Sequence, residues 1–312
     1  MRFKIEQILQ VSSKGPHCAF VDLLNVADGL LVCYRKAVNH VSSAGTIETA
    51  LIEADNRISH RQQLCFPSVD LRDPKLSLMP NGKVLLIAYA RHHDQNNKTT
   101  FSQSVCWFSD NGKTWSSPRY FGPAGWWLWR LRWHEKLAYG IAYNRAANRV
   151  DLYRGNPLGS MECVKHGILS LEKHGKGYPN ESDIWFDGEG VLHALVRRDA
   201  DTYSAMWGRA AFPYTRWQWT DLSTYIGGPV LIELDPDLLI VAGRTIESGR
   251  LKTAVWLLSP SSASLQKQLV LPSAGDNSYP GLVTEGDNLW IAYYSMHIDR
   301  QSRVYLAHLT LQ

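Results

Sequence analysis

Cysteine is scarce. The chain carries five, Cys18, Cys33, Cys65, Cys106 and Cys163, and no two stand in a Cys-x-x-Cys spacing. An odd, unpatterned set argues for reduced thiols in an intracellular chain and against a zinc site. No apolar run approaches the roughly 18 residues that a membrane span requires. The first ten residues alternate apolar and polar with charges interspersed. They do not read as a signal peptide, and the expected location is the cytoplasm. Charge of one sign is also short: 33 Lys and Arg against 29 Asp and Glu leave a formal net charge of +4. With no basic run, neither nucleic acid nor a membrane is an expected partner. Nothing implies an organic cofactor. His92-His93-Asp94 reads as a surface loop rather than a metal site, so no metal is expected.

Aromatic residues, by contrast, are plentiful. The 312 residues include 12 Trp and 14 Tyr. Such residues suit all-β cores and sugar-stacking surfaces. Trp126, Trp127 and Trp129 follow the loop Gly122-Pro123-Ala124-Gly125, a candidate for either role.

One pattern recurs six times: a short apolar strand, a turn, a second apolar strand, then a polar cluster. The copies occupy residues 19–36, 72–91, 129–145, 181–198, 227–244 and 278–297. Their turn centres, Gly29, Gly82, Glu135, Gly188, Asp235 and Asp287, are 53, 53, 53, 47 and 52 residues apart. A period near 50 with paired strands reads as a β-propeller blade. Asp28-Gly29, Asn81-Gly82 and Asp187-Gly188 are hairpin dipeptides, which supply positive φ at low cost. Two further strand-like runs follow each pair, as in Thr100–Phe108 and the segment from Trp115. The expected fold is all-β: a six-bladed propeller of four-stranded antiparallel blades, forming a single domain over 1–312. After the sixth pair only Arg303–Thr310 remains, so Phe3–Leu9 is expected to complete that blade and close the ring. Closure removes two exposed edges and their unpaired backbone groups.

In a propeller the first strand of each blade lines the central channel, and the second returns to the face where the first began. That face collects Asp22 and Arg35; Arg72, Asp73 and Arg91; Trp129, Arg130 and Arg145; Glu181, Asp183, Arg197 and Arg198; Arg244; and Tyr279, Tyr294 and His297. Five of the six second strands end at an Arg. Guanidinium groups gathered on one face favour an anionic ligand held in bidentate fashion. The competing role for each is to brace the ring against a neighbouring carboxylate.

The residues Phe108-Ser109-Asp110-Asn111-Gly112-Lys113-Thr114-Trp115 resemble the Asp-box of sialidases, with Phe108 departing at the first position. In that motif the Asp caps backbone amides, the Gly turns and the Trp packs between strands. Asp73-Pro74, Asn180-Glu181 followed by Arg197, Arg244, and Ser278-Tyr279-Pro280-Gly281-Leu282 resemble, in order, segments of successive sialidase blades. The resemblance to the sialidase (neuraminidase) superfamily spans the whole ring. It implies an exo-acting glycoside hydrolase that releases a terminal sialic acid or related 2-keto sugar acid from a carbohydrate substrate. Tyr279 would be the nucleophile and Glu181 its base, because a neutral phenol escapes repulsion by the substrate carboxylate. Arg197, Arg244 and a third Arg, Arg35 or Arg72, would grip that carboxylate. Arg130, Trp129, Asp183, Tyr294 and His297 complete the expected sugar contacts.

Two positions depart from the family. Where sialidases place the first of three arginines, this chain reads Ala19-Phe20-Val21-Asp22. Where they place an acidic Asp, the loop Lys36–Ser42 offers His40. Protonation of the leaving oxygen therefore falls to His40, Asp22 or Asp73. The missing Arg keeps open a propeller glycosidase for a uronic or neutral sugar. A non-catalytic carbohydrate-binding propeller is the reading from another class.

Overall fold

The computed structural model describes residues 2–312. Their strands form six four-stranded antiparallel sheets, the blades of a six-bladed β-propeller. Blade 1 comprises His17–Val26, Gly29–Ala37, Thr46–Ile52 and Ile58–Leu64; blade 2 comprises Val69–Leu78, Val84–His93, Thr99–Ser109 and Arg119–Phe121. Blade 3 comprises Trp127–His134, Leu137–Asn144, Arg149–Gly155 and Met161–Ser170; blade 4 comprises Pro179–Phe186, Leu192–Arg198, Met206–Ala210 and Gln218–Asp221. Blade 5 comprises Gly227–Asp235, Leu238–Glu247, Arg250–Ser259 and Ser264–Leu271. Blade 6 runs Ser278–Glu285, Asn288–Ser295 and Arg303–Leu311, and its fourth strand is Phe3–Gln10 from the other end of the chain. That pairing, Phe3 opposite Leu311 through Gln10 opposite Tyr305, closes the ring as the sequence implied. No helix among the described residues is long and apolar enough to cross a membrane.

The chain divides into two compact units. One comprises the described residues up to Gly125 with Ser273–Gln312, and so contains blades 6, 1 and 2; the other is Trp126–Pro272, blades 3 to 5. In the first unit Leu31, Cys33 and Ile47 of blade 1 pack on Leu71, Leu86 and Trp107 of blade 2. In the second, Ile141, Val150 and Leu152 of blade 3 pack on Ile184, Ala194 and Val196 of blade 4. Leu195 and Trp207 of blade 4 pack on Leu231, Val241 and Trp256 of blade 5. Burial falls across each blade. In blade 1 the first strand is buried from His17 to Leu23, whereas the fourth exposes His60, Arg61, Gln62 and Gln63.

All six first strands share one irregularity near their start. Two residues of the first strand face a single residue of the second, which is a β-bulge. The bulged pairs are Phe20-Val21, Asp73-Pro74, Trp129-Arg130, Asn180-Glu181, Gly228-Pro229 and Tyr279-Pro280. Phe20, Asp73, Gly228 and Tyr279 take positive φ, from 47° to 57°. Three of the six pairs end in Pro, which cannot donate to a ladder and settles inside sheets where a bulge frees the position.

In blades 1 and 4 an acid just past the bulge locks the blade to its neighbour. Asp22 is fully buried and accepts the N–H of Leu76 at 2.8 Å, tying blade 1 to blade 2. Asp183, two residues past the blade 4 bulge, accepts the N–H of Leu231 in blade 5 at 3.0 Å. In blade 6 the residue directly after the bulge, the position of Asp22 in blade 1, is Gly281, where an added Cβ would lie 2.3 Å from the Leu23 nitrogen.

Candidate functional site

A bulge turns a side chain out of the in-out alternation of a strand, and such features gather beside active sites. In the first unit the bulges present Phe20, Asp73 and Tyr279. The Tyr279 ring meets Phe20 edge to face at 5.2 Å. Phe20 in turn meets His40 at 5.1 Å and Tyr294 at 5.5 Å. The Arg72 guanidinium lies over the same Phe20 ring, 5.5 Å from its centre.

Behind this aromatic group stands Asp276, on the loop before blade 6. Its Oδ2 receives His40 Nδ1 at 2.9 Å and His17 Nε2 at 3.3 Å, and its Oδ1 accepts the Tyr294 hydroxyl at 2.8 Å. Asp276 and His17 lie outside the six-fold repeat, and sequence reasoning missed both. Tyr294, expected to touch sugar, is fully buried and instead positions Asp276. The His297 ring packs against Tyr305, with centres 4.6 Å apart.

The charged residues of this unit divide sharply. Arg35 is wholly buried and consumed by the protein: Nε meets Asp70 at 2.8 Å, and the two terminal nitrogens donate to the carbonyls of Asn39 and Ser42. Arg35 and Asp22 were expected at a ligand and are structural braces, because a side chain without exposed surface cannot reach a substrate. Arg72 bonds the Asp70 carboxylate and the His40 carbonyl, each at 3.3 Å, and lies 3.9 Å from Asp73.

In the second unit the blade 4 bulge presents Glu181. Its Oε2 accepts the N–H of Gly228, the blade 5 bulge residue, at 2.8 Å and receives the Arg197 guanidinium in a short ion pair. Arg197 also pairs with Asp199 at 2.8 Å and lies over the Tyr225 ring at 5.6 Å. Burial raises the Tyr225 phenol above its ordinary range, while Arg197 and Arg244 oppose the shift. Tyr178 is raised by burial in the same way, with Arg145 opposing it from above its ring. Glu181, Arg197, Asp199, Tyr225 and Arg244 thus form one polar group. Asp199 and Tyr225 are additions to the sequence-derived set.

Other expected contacts are structural in this unit. Asp183 has no exposed side-chain surface; it holds Arg132, lies 3.5 Å from Arg130, and accepts two backbone N–H groups. The neighbour of Arg197, Arg198, is fully buried; it ties down the loop that follows through Ser204, Thr202 and Asp201 and also reaches the Gly177 carbonyl ahead of the blade. Trp129 is 1% exposed, too deep for a sugar wall. Trp127 is half-buried and stacks on Tyr143, and Arg149 covers the half-buried Trp126.

The Asp-box-like turn needs a correction. Asp110 is exposed and pairs with Lys83 at 2.8 Å rather than capping the turn. Ser109 caps Gly112 N–H at 2.8 Å, and Asn111 caps Lys113 N–H at 2.9 Å. Trp115 packs as expected, with its indole N–H on Thr49. His92 and His93 bond Tyr120 and Thr99, and Asp94 caps its own loop, as a surface turn does.

No protein-family model matches the chain, and no curated protein matches it. Solved structures do match its fold. A Dyadobacter fermentans DSM 18053 protein of unknown function aligns with a TM-score of 0.85 at 13% identity, over 99% of each chain. A Streptococcus pneumoniae sialidase aligns with a TM-score of 0.72 at 11% identity, over 98% of this chain and 70% of its own. A Fusarium graminearum α-L-arabinofuranosidase aligns with a TM-score of 0.69 at 13% identity, over 99% of this chain and 98% of its own. The backbone is therefore one that sialidases and arabinofuranosidases share, and identities this low speak to fold alone.

Proposed function

We propose that the protein is an exo-acting glycoside hydrolase whose terminal sugar carries no carboxylate at the anomeric carbon, a neutral sugar before a uronic one. The observation that carries this reading is Phe20. It occupies the blade 1 bulge, where the sialidase pattern has an Arg, and its ring joins Tyr279, Tyr294 and His40. An aromatic face stacks on the C–H face of a sugar and gives nothing to a carboxylate. The one Arg nearby in blade 1, Arg35, is enclosed by its own loop. The α-L-arabinofuranosidase among the fold neighbours is in keeping with this substrate class.

Glycosidases of most families use two carboxyl groups, one to attack or activate water and one to protonate the leaving oxygen. Glu181 takes the first part, with its carboxylate held by Arg197 and the Gly228 amide. Asp73 and Tyr279 are the polar groups that the bulges of the first unit present. The second reading is the sialidase one, with Tyr279 as nucleophile. It is favoured by the Ser278–Leu282 match and by Arg72, Arg197 and Arg244.

The test is a panel of fluorogenic glycosides: α-L-arabinofuranoside, other neutral sugars, a uronide and an α-sialoside. Hydrolysis of a neutral glycoside is expected, with Glu181→Gln lowering turnover by about 10²–10⁴-fold at unchanged stability. Hydrolysis of the sialoside alone, abolished by Tyr279→Phe, would replace this reading with the second. Sugar binding by folded protein without hydrolysis of any member would reduce the function to carbohydrate recognition.

A further inference from the structure

His17, His40 and Asp276 come from three separate segments of the first unit, and their donor atoms converge. His17 Nε2, His40 Nδ1 and Asp276 Oδ2 all lie within 4.8 Å of one another. The two edges that meet at Asp276 measure 2.9 and 3.3 Å. Ligands about 2.0–2.1 Å from a tetrahedral Zn²⁺ stand roughly 3.3–3.4 Å apart, and the two edges at Asp276 are near that spacing.

We propose that these three atoms form a binding site for a borderline divalent cation of the Zn²⁺ class. Two imidazole nitrogens and one carboxylate oxygen suit Zn²⁺ and disfavour Ca²⁺ or Mg²⁺, which take oxygen ligands. The surroundings are built as metal sites are. Asp276 is oriented through its other oxygen by the buried Tyr294 hydroxyl at 2.8 Å, the kind of outer support that fixes a ligating carboxylate. His17 is 7% exposed and fixed by backbone bonding of its neighbour Cys18 to Ser302 at 3.0 Å. The His40 side chain is 47% exposed, so the fourth coordination position opens to water. Arg72, the neighbouring cation over Phe20, is already balanced by Asp70 and Asp73. This departs from the sequence expectation of no metal, which rested on cysteine spacing and on reading His92-His93-Asp94 as a surface loop; the ligands here are neither of these and lie at 17, 40 and 276. The proposal stands apart from the glycosidase reading, because its test reads binding.

The experiment is calorimetric titration of the chelator-treated full chain with Zn²⁺, alongside the absorption spectrum with Co²⁺. One ion per chain is expected, with an intense tetrahedral Co²⁺ spectrum. His40→Ala and Asp276→Asn should each weaken binding by at least about 10-fold, and Tyr294→Phe, which leaves all three ligands, by roughly 10–100-fold. A second group of donor atoms, Asp151, Cys163 and His166, lies in the other unit. Cys163→Ser should leave the affinity unchanged. Absence of a stoichiometric ion in the wild type overturns the proposal. So does binding that survives His40→Ala and Asp276→Asn, or that is lost in Cys163→Ser. Urea unfolding of each variant confirms that a lost signal is not a lost fold.

Discussion

Blades 1 and 4 put the same residue type at the end of the second strand and use it in opposite ways. Arg35 in blade 1 is fully enclosed, because the loop after it folds back and gives it the carbonyls of Asn39 and Ser42. Blade 4 has two arginines in sequence. Arg198 takes the loop-bracing duty, with Ser204 and Gly177 carbonyls as partners. Arg197 is thereby released to Glu181 and Asp199, with 12% of its side chain exposed. Whether a blade's arginine becomes a brace or part of a site is thus decided by what else satisfies the loop carbonyls. A repeat motif alone does not carry that information.

The sharpest way to break this comparison is Arg35→Met. It leaves Asp70, 1% exposed, with only the 3.3 Å Arg72 contact and the Gly45 N–H, and removal of one partner from a buried pair costs up to about 3–5 kcal/mol. Urea unfolding should show that loss, whereas Arg197→Met should lose clearly less stability and most of the turnover. Equal stability losses would erase the distinction between brace and site. Arg198→Met orphans buried carbonyls rather than a buried charge, and about 1–3 kcal/mol is expected.

A further contrast separates the units by pH. His193 in blade 4 is held below its ordinary value by burial, against the pull of Asp187. The unfolded chain therefore takes up a proton first, and stability declines as pH falls below about 6.5. Glu48 in blade 1 is also buried, which pushes it up, but Tyr34, Ser13, Lys36 and Arg61 together outweigh burial and depress it. Its contribution is complete above the ordinary Glu value and is lost only as pH falls through the depressed one. Urea midpoints from pH 7.5 to 3.5 should show an early decline that His193→Gln flattens and a later one that Glu48→Gln flattens. A single decline untouched by His193→Gln would remove the first part. Calorimetry at pH 7.5 also tests the single-domain organisation expected over 1–312: one transition is expected, and two would separate the units.

The smallest effect concerns the thiols. Burial pushes Cys18 to about 11 and Cys106 to about 12, whereas Cys65 is exposed. Thiol titration of native protein at pH 8 should give a fast reaction at Cys65 that Cys65→Ser removes, with Cys18 and Cys106 reacting only on unfolding. Fast labelling of either buried thiol would mean that blade 1 or blade 2 opens readily.

The strand pairs and the closing strand were legible because first and second strands are buried and read as apolar runs around Gly and Asp turns. Fourth strands were faint, since sequences such as Ile58–Leu64 are mostly exposed and polar. Glu181, Tyr279 and Asp73 were legible as chemistry, but their shared bulge was not, because two residues facing one leaves no trace in apolar spacing. Pro74, Pro229 and Pro280 in mid-strand were the available signal. Asp276, His17 and Tyr225 were missed because they lie on segments outside the repeat, where only the folded chain brings them to their partners. Asp22 and Asp183 were misjudged for the converse reason: an acid one or two residues beyond a bulge looks the same in sequence whether it faces a ligand or a neighbouring amide.

The bulges also bear on how such a chain changes over time. A residue lifted out of the pleat stands outside the strand's regular pairing, so the ladder places few demands on what it is. Phe, Asp, Trp-Arg, Asn-Glu, Gly and Tyr already share this one position among six blades of a single molecule. Each blade therefore offers a socket in which a reactive group is exchanged for an aromatic, or an aromatic for a glycine, without renegotiating the sheet. A backbone that persists at 13% identity is what that freedom would leave behind: a constant frame, with its chemistry rewritten one socket at a time.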